Sequence, residues 1–387
     1  MLKAVFWISA LFILYTYAGY PLLIFIWSKI FPRRVARRDL EPSPLVSIVI
    51  AARNEEDEIR GRILNLFEQE WPEDKLEIIV VSDGSKDATN EIVTRLALED
   101  DVALEGGALG KSRLRLIAHD VNRGKPAALN AGLSEASGEF VVFTDARQRF
   151  EPDAVRRLVS NFADPSVGAV SGELLFREDS ETDIKAEMGL YWNYEKWIRR
   201  TESAVHSAAG ATGAIYAARR ALVTPIPEET ILDDVLIPMR CVMKGMRTVF
   251  DTRALAWDRV SRNLAAEKRR KVRTLLGNYQ LVRLAPSLLD PRRNPIFLQF
   301  VSHKLFRLLV PFFFVLMMLS ALLSGGAYTA LFLVILAGMA LPLLEGVLGG
   351  VPGFRALAAL SRTFVSLNWF ALLAFLLFIR PGERRIW

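Results

Sequence analysis

The sequence predicts an α/β domain built on a mostly parallel sheet and flanked by transmembrane helices. Three observations predict it. Both ends of the 387-residue chain are apolar, whereas the stretch from about Val46 to Asp290 carries nearly all the acidic residues. Within that stretch, short β-branched runs alternate with helical patterns. Arginines and lysines gather where the apolar ends meet the middle.

Ala4 to Ile30 is apolar apart from Lys29. It exceeds the roughly 20 residues needed to cross a bilayer. The run is too long for a cleaved leader, and no small-residue cleavage site precedes the arginines, so residues 1–31 read as an uncleaved anchor with a kink at Pro21. Arg33, Arg34, Arg37 and Arg38 follow directly and place the next domain on the cytoplasmic side. Pro42-Ser43-Pro44 reads as the linker into a domain over residues 45–290.

Strands are expected at Ser47–Ala51, Glu77–Ser82, Leu114–Ile117, Phe140–Thr144 and Val167–Val170. Ile59, Ile63, Leu66 and Phe67 repeat at helical spacing between the first two. Pro126 and Pro152 sit where first-turn prolines open helices. Residues 296–380 hold about three further spans, near Phe306–Leu323, Ala327–Leu348 and Leu357–Ile379. Three spans place the C-terminus outside, against the positive-inside expectation for Arg380, Arg384 and Arg385.

Composition excludes several classes. Cys241 is alone, which rules out an internal disulfide and leaves it a small buried hydrophobe. His119, His206 and His303 are too scattered for a metal cluster. The net charge of +6 sits in membrane-flanking arginines, with no nucleic-acid-binding motif beside them. Neither a P-loop nor Gly-x-Gly-x-x-Gly after the first strand is present, which argues against P-loop nucleotide binding and a Rossmann oxidoreductase.

Ligands of open α/β sheets gather at the carboxyl ends of the strands, so the residues there are the candidates. Asp83 ends one strand and is either a turn residue bonding its own backbone or an acceptor for a ligand base or ribose. Asn122-Arg123-Gly124-Lys125-Pro126 opens a helix; glycine, lysine and a helix N-terminus together favour an anion such as diphosphate. Phe140–Thr144 ends in Asp145, a carboxylate placed to hold a divalent cation on phosphate oxygens. Asp233 and Asp234 open a helix running toward Gly245, Asp233 as a cap and Asp234 as a general base for an acceptor hydroxyl. Gly210-Ala211-Thr212-Gly213-Ala214 is either tight packing or a floor that leaves a sugar room. Tyr191, Trp192, Tyr194 and Trp197 suggest a helix lying in the membrane interface.

In this order, from Ser47-Ile48-Val49-Ile50-Ala51-Ala52-Arg53-Asn54-Glu55-Glu56 through Asp83, Gly124-Lys125, Thr144-Asp145-Ala146, Gly210–Gly213 and Leu232-Asp233-Asp234, the motifs resemble the membrane-bound family-2 glycosyltransferases. That branch includes the synthases of cellulose, hyaluronan and poly-N-acetylglucosamine. The resemblance covers about Val46 to Gln280 and implies a GT-A fold. It implies an inverting transfer from a nucleotide-sugar, a UDP-sugar first, to a lipid-linked or glycan acceptor at a bacterial inner membrane. It places Ala52, Asn54, Glu55 and Asp83 on the uridine, Lys125 near nucleotide or diphosphate, Asp145 on Mg²⁺ or Mn²⁺, and Asp234 as the base.

Two departures bear on that expectation. The family's Asp-x-Asp metal element stands here as Asp145-Ala146-Arg147, which removes one carboxylate and offers Arg147 to the diphosphate instead. The Gln-x-x-Arg-Trp element of processive synthases stands as Arg270-Lys271-Val272-Arg273-Thr274. Arg273 matches and Arg270 remains for acceptor or diphosphate, but the tryptophan that caps the acceptor in polymer makers is missing. This weighs against long-chain synthesis and leaves transfer of one or a few sugars to a lipid-linked acceptor open. The rivals are a processive synthase, with partner subunits completing a channel, and a non-catalytic member of an envelope-glycan assembly complex.

Overall fold

The computed structural model describes residues 1–104, 113–177, 183–259 and 264–380. Arg384 and Arg385 lie outside the described residues. The chain enters through a long apolar helix, α1 (Leu2–Ile30), whose turn loosens to π geometry over Tyr15–Gly19, just before Pro21. Proline cannot donate into the preceding turn, and the freed carbonyls are absorbed by the wider turn.

The domain that follows is laid out as β1 (Val46–Ala52), α2 (Glu56–Phe67), β2 (Leu76–Asp83), α3 (Thr89–Leu104), β3 (Leu114–His119), α4 (Lys125–Glu135) and β4 (Phe140–Asp145). Next come β5 (Arg149–Phe150), α5 (Ala154–Ser160), β6 (Val167–Arg177), α6 (Asp183–Val205), β7 (Tyr216–Arg219), α7 (Asp233–Met243), β8 (Arg247–Arg259) and α8 (Leu264–Leu284). Three apolar helices close the chain: α9 (Phe297–Ser324), α10 (Ala327–Leu348) and α11 (Phe354–Ile379). With α1 they make, among the described residues, four helices long and apolar enough to cross a membrane.

One eight-stranded sheet runs β3-β2-β1-β4-β7-β6-β8-β5. β3, β2, β1 and β4 are parallel neighbours; β7 turns antiparallel between β4 and β6, and β8 is again parallel to β6. Strands buried on both faces read as continuous apolar runs, and alternate residues divide between two cores. Ile48 and Ile50 face one core with Ile59, Ile63 and Leu66 of α2. Val49 and Val81 face the other with Ala128 and Leu129 of α4 and Leu236 of α7. At Gly138, between α4 and β4, a Cβ would lie 2.6 Å from the backbone nitrogen of Ser47. Because backbone cannot yield as a side chain does, Gly138→Ala is expected to cost about 1–3 kcal/mol; an unchanged Tm in detergent would contradict this.

The five expected strands all form, each one or more residues longer than its sequence pattern. The β8 strand was not expected, because Arg247, Asp251, Arg253 and Asp258 break its apolar run. Pro152 lies in a turn before α5 rather than in its first turn, whereas Pro126 does occupy the first turn of α4. The first C-terminal span begins at Phe297, not Phe306. The flanking arginines are not all turned to lipid: Arg37 donates to Asn161 at 2.8 Å and stands 3.5 Å from Asp251.

Candidate active site

β1, β2 and β4 end at the same edge, with Ala52 beside Ser82 and Ala51 beside Asp145 in register. A cavity of about 920 Å³ opens there. It is lined by Ala52, Glu55, Asp83, Lys125, Asp145, Arg147, Gly213, Asp234, Arg270 and Arg273, so ten of the eleven expected site residues converge. Asn54 does not line it. Its backbone takes a positive φ of 53°, and its side-chain oxygen accepts from Lys86 N at 2.9 Å, clamping the 84–86 loop. Asparagine tolerates that conformation better than most residues.

Asp83 lines the cavity with both its carboxylate oxygens already engaged. Its Oδ1 accepts from Arg123 N at 2.9 Å and its Oδ2 from Gly124 N at 2.7 Å, while the His119 ring lies at 3.2 Å. Asp83 thus fastens the turn that opens α4, and Gly84 makes this possible: with φ 67°, a Cβ there would meet Asn122 N at 2.6 Å. The fastened turn aims Lys125 across the cavity. Its Nζ donates to Asp145 Oδ1 at 2.8 Å and lies 3.7 Å from Asp233 Oδ1. Burial works against the lysine's charge, but Asp145 and Asp233 outweigh it and hold the pKa above its ordinary value. Burial likewise opposes ionisation of Asp145, yet Lys125 first, then Arg147 and Arg273, hold that carboxyl below its usual range.

The floor comes from the small-residue run. Thr144 Oγ1 donates to Ala214 O at 2.7 Å and accepts from the buried Arg62 at 2.9 Å, tying the β4 tip to this run. Ala211 N donates to Asp234 O at 2.7 Å, and Gly213 N to Asp234 Oδ2 at 3.2 Å. A Cβ on Gly213 would stand 3.2 Å from the same carboxylate oxygen, so the glycine leaves room beside Asp234. Burial, reinforced by the neighbouring Asp233, pushes the Asp234 carboxyl up to about 6. A carboxyl tuned upward in a cleft is a candidate general base. Asp233 is the first residue of α7 rather than its cap; Leu232 holds the cap position and makes no side-chain bond there. The Asp233 side chain instead accepts from Tyr216 Oη at 3.2 Å.

Arg147 and Gln148 both reach Asp258 on β8, at 3.3 and 2.9 Å. Asp258 was missed because its strand was missed. Also missed were Arg199 of α6, which donates to Thr212 Oγ1 at 2.9 Å, and His303, Lys304 and Arg307 of α9, which line the far end of the cavity. Ionisable residues inside an apolar segment are a functional signal in themselves.

Of the two carboxylates in the family's metal element, this chain keeps one, Asp145. Among the described residues, no group of three His, Cys, Asp or Glu converges to form a metal cage. Asp145 keeps its Oδ1 on Lys125, and Arg147 occupies the place of a second carboxylate. This donor set fits a cation shared with the phosphates of a bound donor, and does not fit one held by protein ligands alone.

The model described as Glycosyl transferase family 2 matches residues 47–223, and that of Glycosyl transferase family group 2 matches residues 140–344. The poly-beta-1,6-N-acetyl-D-glucosamine synthase of Staphylococcus aureus (strain MSSA476) is 25% identical over 258 residues, 65% of this chain and 59% of that protein. The synthase of the same description from Staphylococcus epidermidis is 24% identical over 241 residues, 61% of this chain and 55% of that protein. The chain thus spans less than two thirds of the length of these curated relatives. Among solved structures, the mannosyltransferase PcManGT from Pyrobaculum calidifontis, in complex with GDP-Man and Mn²⁺, superposes with a TM-score of 0.69 at 23% identity. That likeness in fold covers 96% of this chain and 99% of the other.

Proposed function

Since the chain belongs to the family-2 glycosyltransferases, we propose that it moves a sugar from a nucleotide-sugar, first of all a UDP-sugar, to a lipid-linked or glycan acceptor at the membrane, inverting the anomeric centre. One observation carries this: a single cavity holds a lysine-bearing turn at the sheet edge and, at its floor, a carboxyl with a pKa of about 6. The first suits a diphosphate and the second an acceptor hydroxyl.

In this reading the acceptor oxygen attacks the anomeric carbon, and the bond from that carbon to the diphosphate oxygen breaks. The hydroxyl proton passes to Asp234, and the electron pair leaves with the diphosphate. Lys125, Arg147, Arg270 and Arg273, which line the cavity, offset the charge that develops on the leaving group. Ala52 and Glu55 line the end where the base and ribose lie, while Asn54 and Asp83 position that end through their loops. A cation such as Mg²⁺ or Mn²⁺ at Asp145 supplies further positive charge to the diphosphate when bound. The relatives named for polymer synthesis favour the processive alternative, and Thr274 in place of the capping tryptophan favours short products. The arginines after α1 support a cytoplasmic catalytic domain in a bacterial inner membrane.

The test is UDP release by the detergent-purified protein across a panel of UDP-sugars with Mg²⁺ or Mn²⁺. Release from one donor is expected, and product length separates few-sugar transfer from polymerisation. No release and no UDP binding would remove the UDP-sugar reading and turn attention to a different nucleotide donor, a lipid-linked donor or a non-catalytic role. Arg147→Ala is expected to weaken UDP binding about tenfold, the loss of one charge-assisted contact. Unchanged UDP affinity would mean that Arg147 serves Asp258 alone.

A further inference from the structure

The cavity does not stop at the sheet edge. It continues between α6 and α8 to the membrane helices, where His303, Lys304 and Arg307 of α9 and Leu367 of α11 complete its lining. The backbone is arranged for this. α9 widens to a π turn over Val301–Leu305, facing the π turn of α1, and Tyr15 Oη and Ser302 Oγ join them at 3.0 Å. A π turn inserts one residue and re-aims the side chains around it, which is why such turns mark functional sites.

Three of the four basic side chains at this end are committed. His303 bridges Glu202 at 2.9 Å and Glu195 at 3.1 Å. Arg307 pairs with Glu195, and Arg199 donates to Thr212. Lys304 is different. Among the described residues its ammonium makes no hydrogen bond and no ion pair, and Glu202 and Asp234 act on it only from beyond ion-pair distance. A lysine in a membrane-crossing segment is costly and persists where it serves a ligand or a pathway. A compact ammonium lining a cavity is a point-charge partner for phosphate. A neutral glycan has no anion to offer it.

Resting on the transferase reading above, we propose that Lys304 is the acceptor-side anion site: it holds a phosphate carried by a membrane lipid and thereby sets the acceptor hydroxyl against Asp234. The lipid source follows from the wall. A molecule reaching Lys304 past Leu367 leaves its apolar chain among α9 and α11, the helices that cross the bilayer.

The experiment is native mass spectrometry of the full chain in detergent with three probes: a polyprenyl phosphate, the corresponding uncharged polyprenol, and inorganic phosphate. It needs no donor and no turnover, so failure of the transferase reading leaves this result intact. Retention of the polyprenyl phosphate over the polyprenol is expected, with about a tenfold or greater loss in Lys304→Gln and recovery in Lys304→Arg. Equal retention of both lipids, or undiminished retention by Lys304→Gln, would overturn the proposal. Inorganic phosphate binding as tightly as the lipid would overturn the lipid source. Where transfer is active, the same variants separate roles again: Lys304→Gln should raise the KM for the lipid acceptor, and a fall in kcat alone would place Lys304 in the chemistry instead.

Discussion

Replacing Asp234 by asparagine is expected to reduce sugar transfer about 10²–10⁴-fold, the usual worth of a positioned general base. The variant keeps the volume of the side chain and an oxygen for the bond from Gly213 N, so the floor of the cavity stays built. Folding should not suffer. The folded pKa of Asp234 lies above its ordinary value, so its ionisation favours the unfolded chain, and at neutral pH, above about 6, the charged carboxylate is a stability cost that asparagine removes. The same shift fixes the pH behaviour of the native enzyme. As the proposed base, Asp234 acts only when ionised, so kcat/KM should be level above neutrality and fall about tenfold per unit as pH drops below about 6. Steady-state rates across that window check both claims. Transfer by Asp234→Asn at even a tenth of the native rate would move the base elsewhere.

Much of this site was legible in the sequence, for a physical reason. Parallel strands buried on both faces must be continuous apolar runs, and the residues that end such runs must sit at one sheet edge. That logic places Asp83, Gly124-Lys125 and Asp145 near one another from the sequence alone, and they do adjoin: Gly124 N donates to Asp83 and Lys125 Nζ to Asp145. It fails where the chain departs from the pattern. β8 carries charges that bond inward, Asp251 to Asn161 and Asp258 to Gln148, so its apolar alternation is broken and Asp258 went unseen. The start of α9 was misplaced for the same reason: Gln299, Ser302, His303 and Lys304 dilute its hydropathy. The partners of His303 and Arg307, Glu195 and Glu202, lie about a hundred residues earlier on α6, and no local pattern reports a contact of that span. Asp83 shows a subtler limit. Its place at the strand tip was readable, but that both its oxygens would hold the 123–124 backbone was not, since that depends on Gly84 letting the two loops touch.

Lys125→Met is expected to have an effect of similar size, by a different route. Lys125 stands between Asp145 and Asp233 and is the basic side chain that the α4 turn aims at the proposed diphosphate position. Removing a charge directed at a leaving group typically costs about 10²–10³ in rate. The substitution also leaves three carboxylates, Asp145, Asp233 and Asp234, without the lysine charge that they share. Lys125 is the first of the positive charges that draw the Asp234 pKa down against burial and Asp233. Without it that pKa climbs, so the acid limb of the rate profile should move above about 6 rather than merely losing height. A limb that stays in place would mean that Lys125 and Asp234 do not sense each other, and the cavity would no longer act as one site. Because uncompensated buried charge also weakens folding, the Lys125→Arg variant belongs beside it. Arginine restores the positive charge, so it should return the limb toward its native position and recover part of the rate. If the methionine variant is simply unfolded, the arginine variant still decides whether charge at this position sets both the rate and its pH dependence.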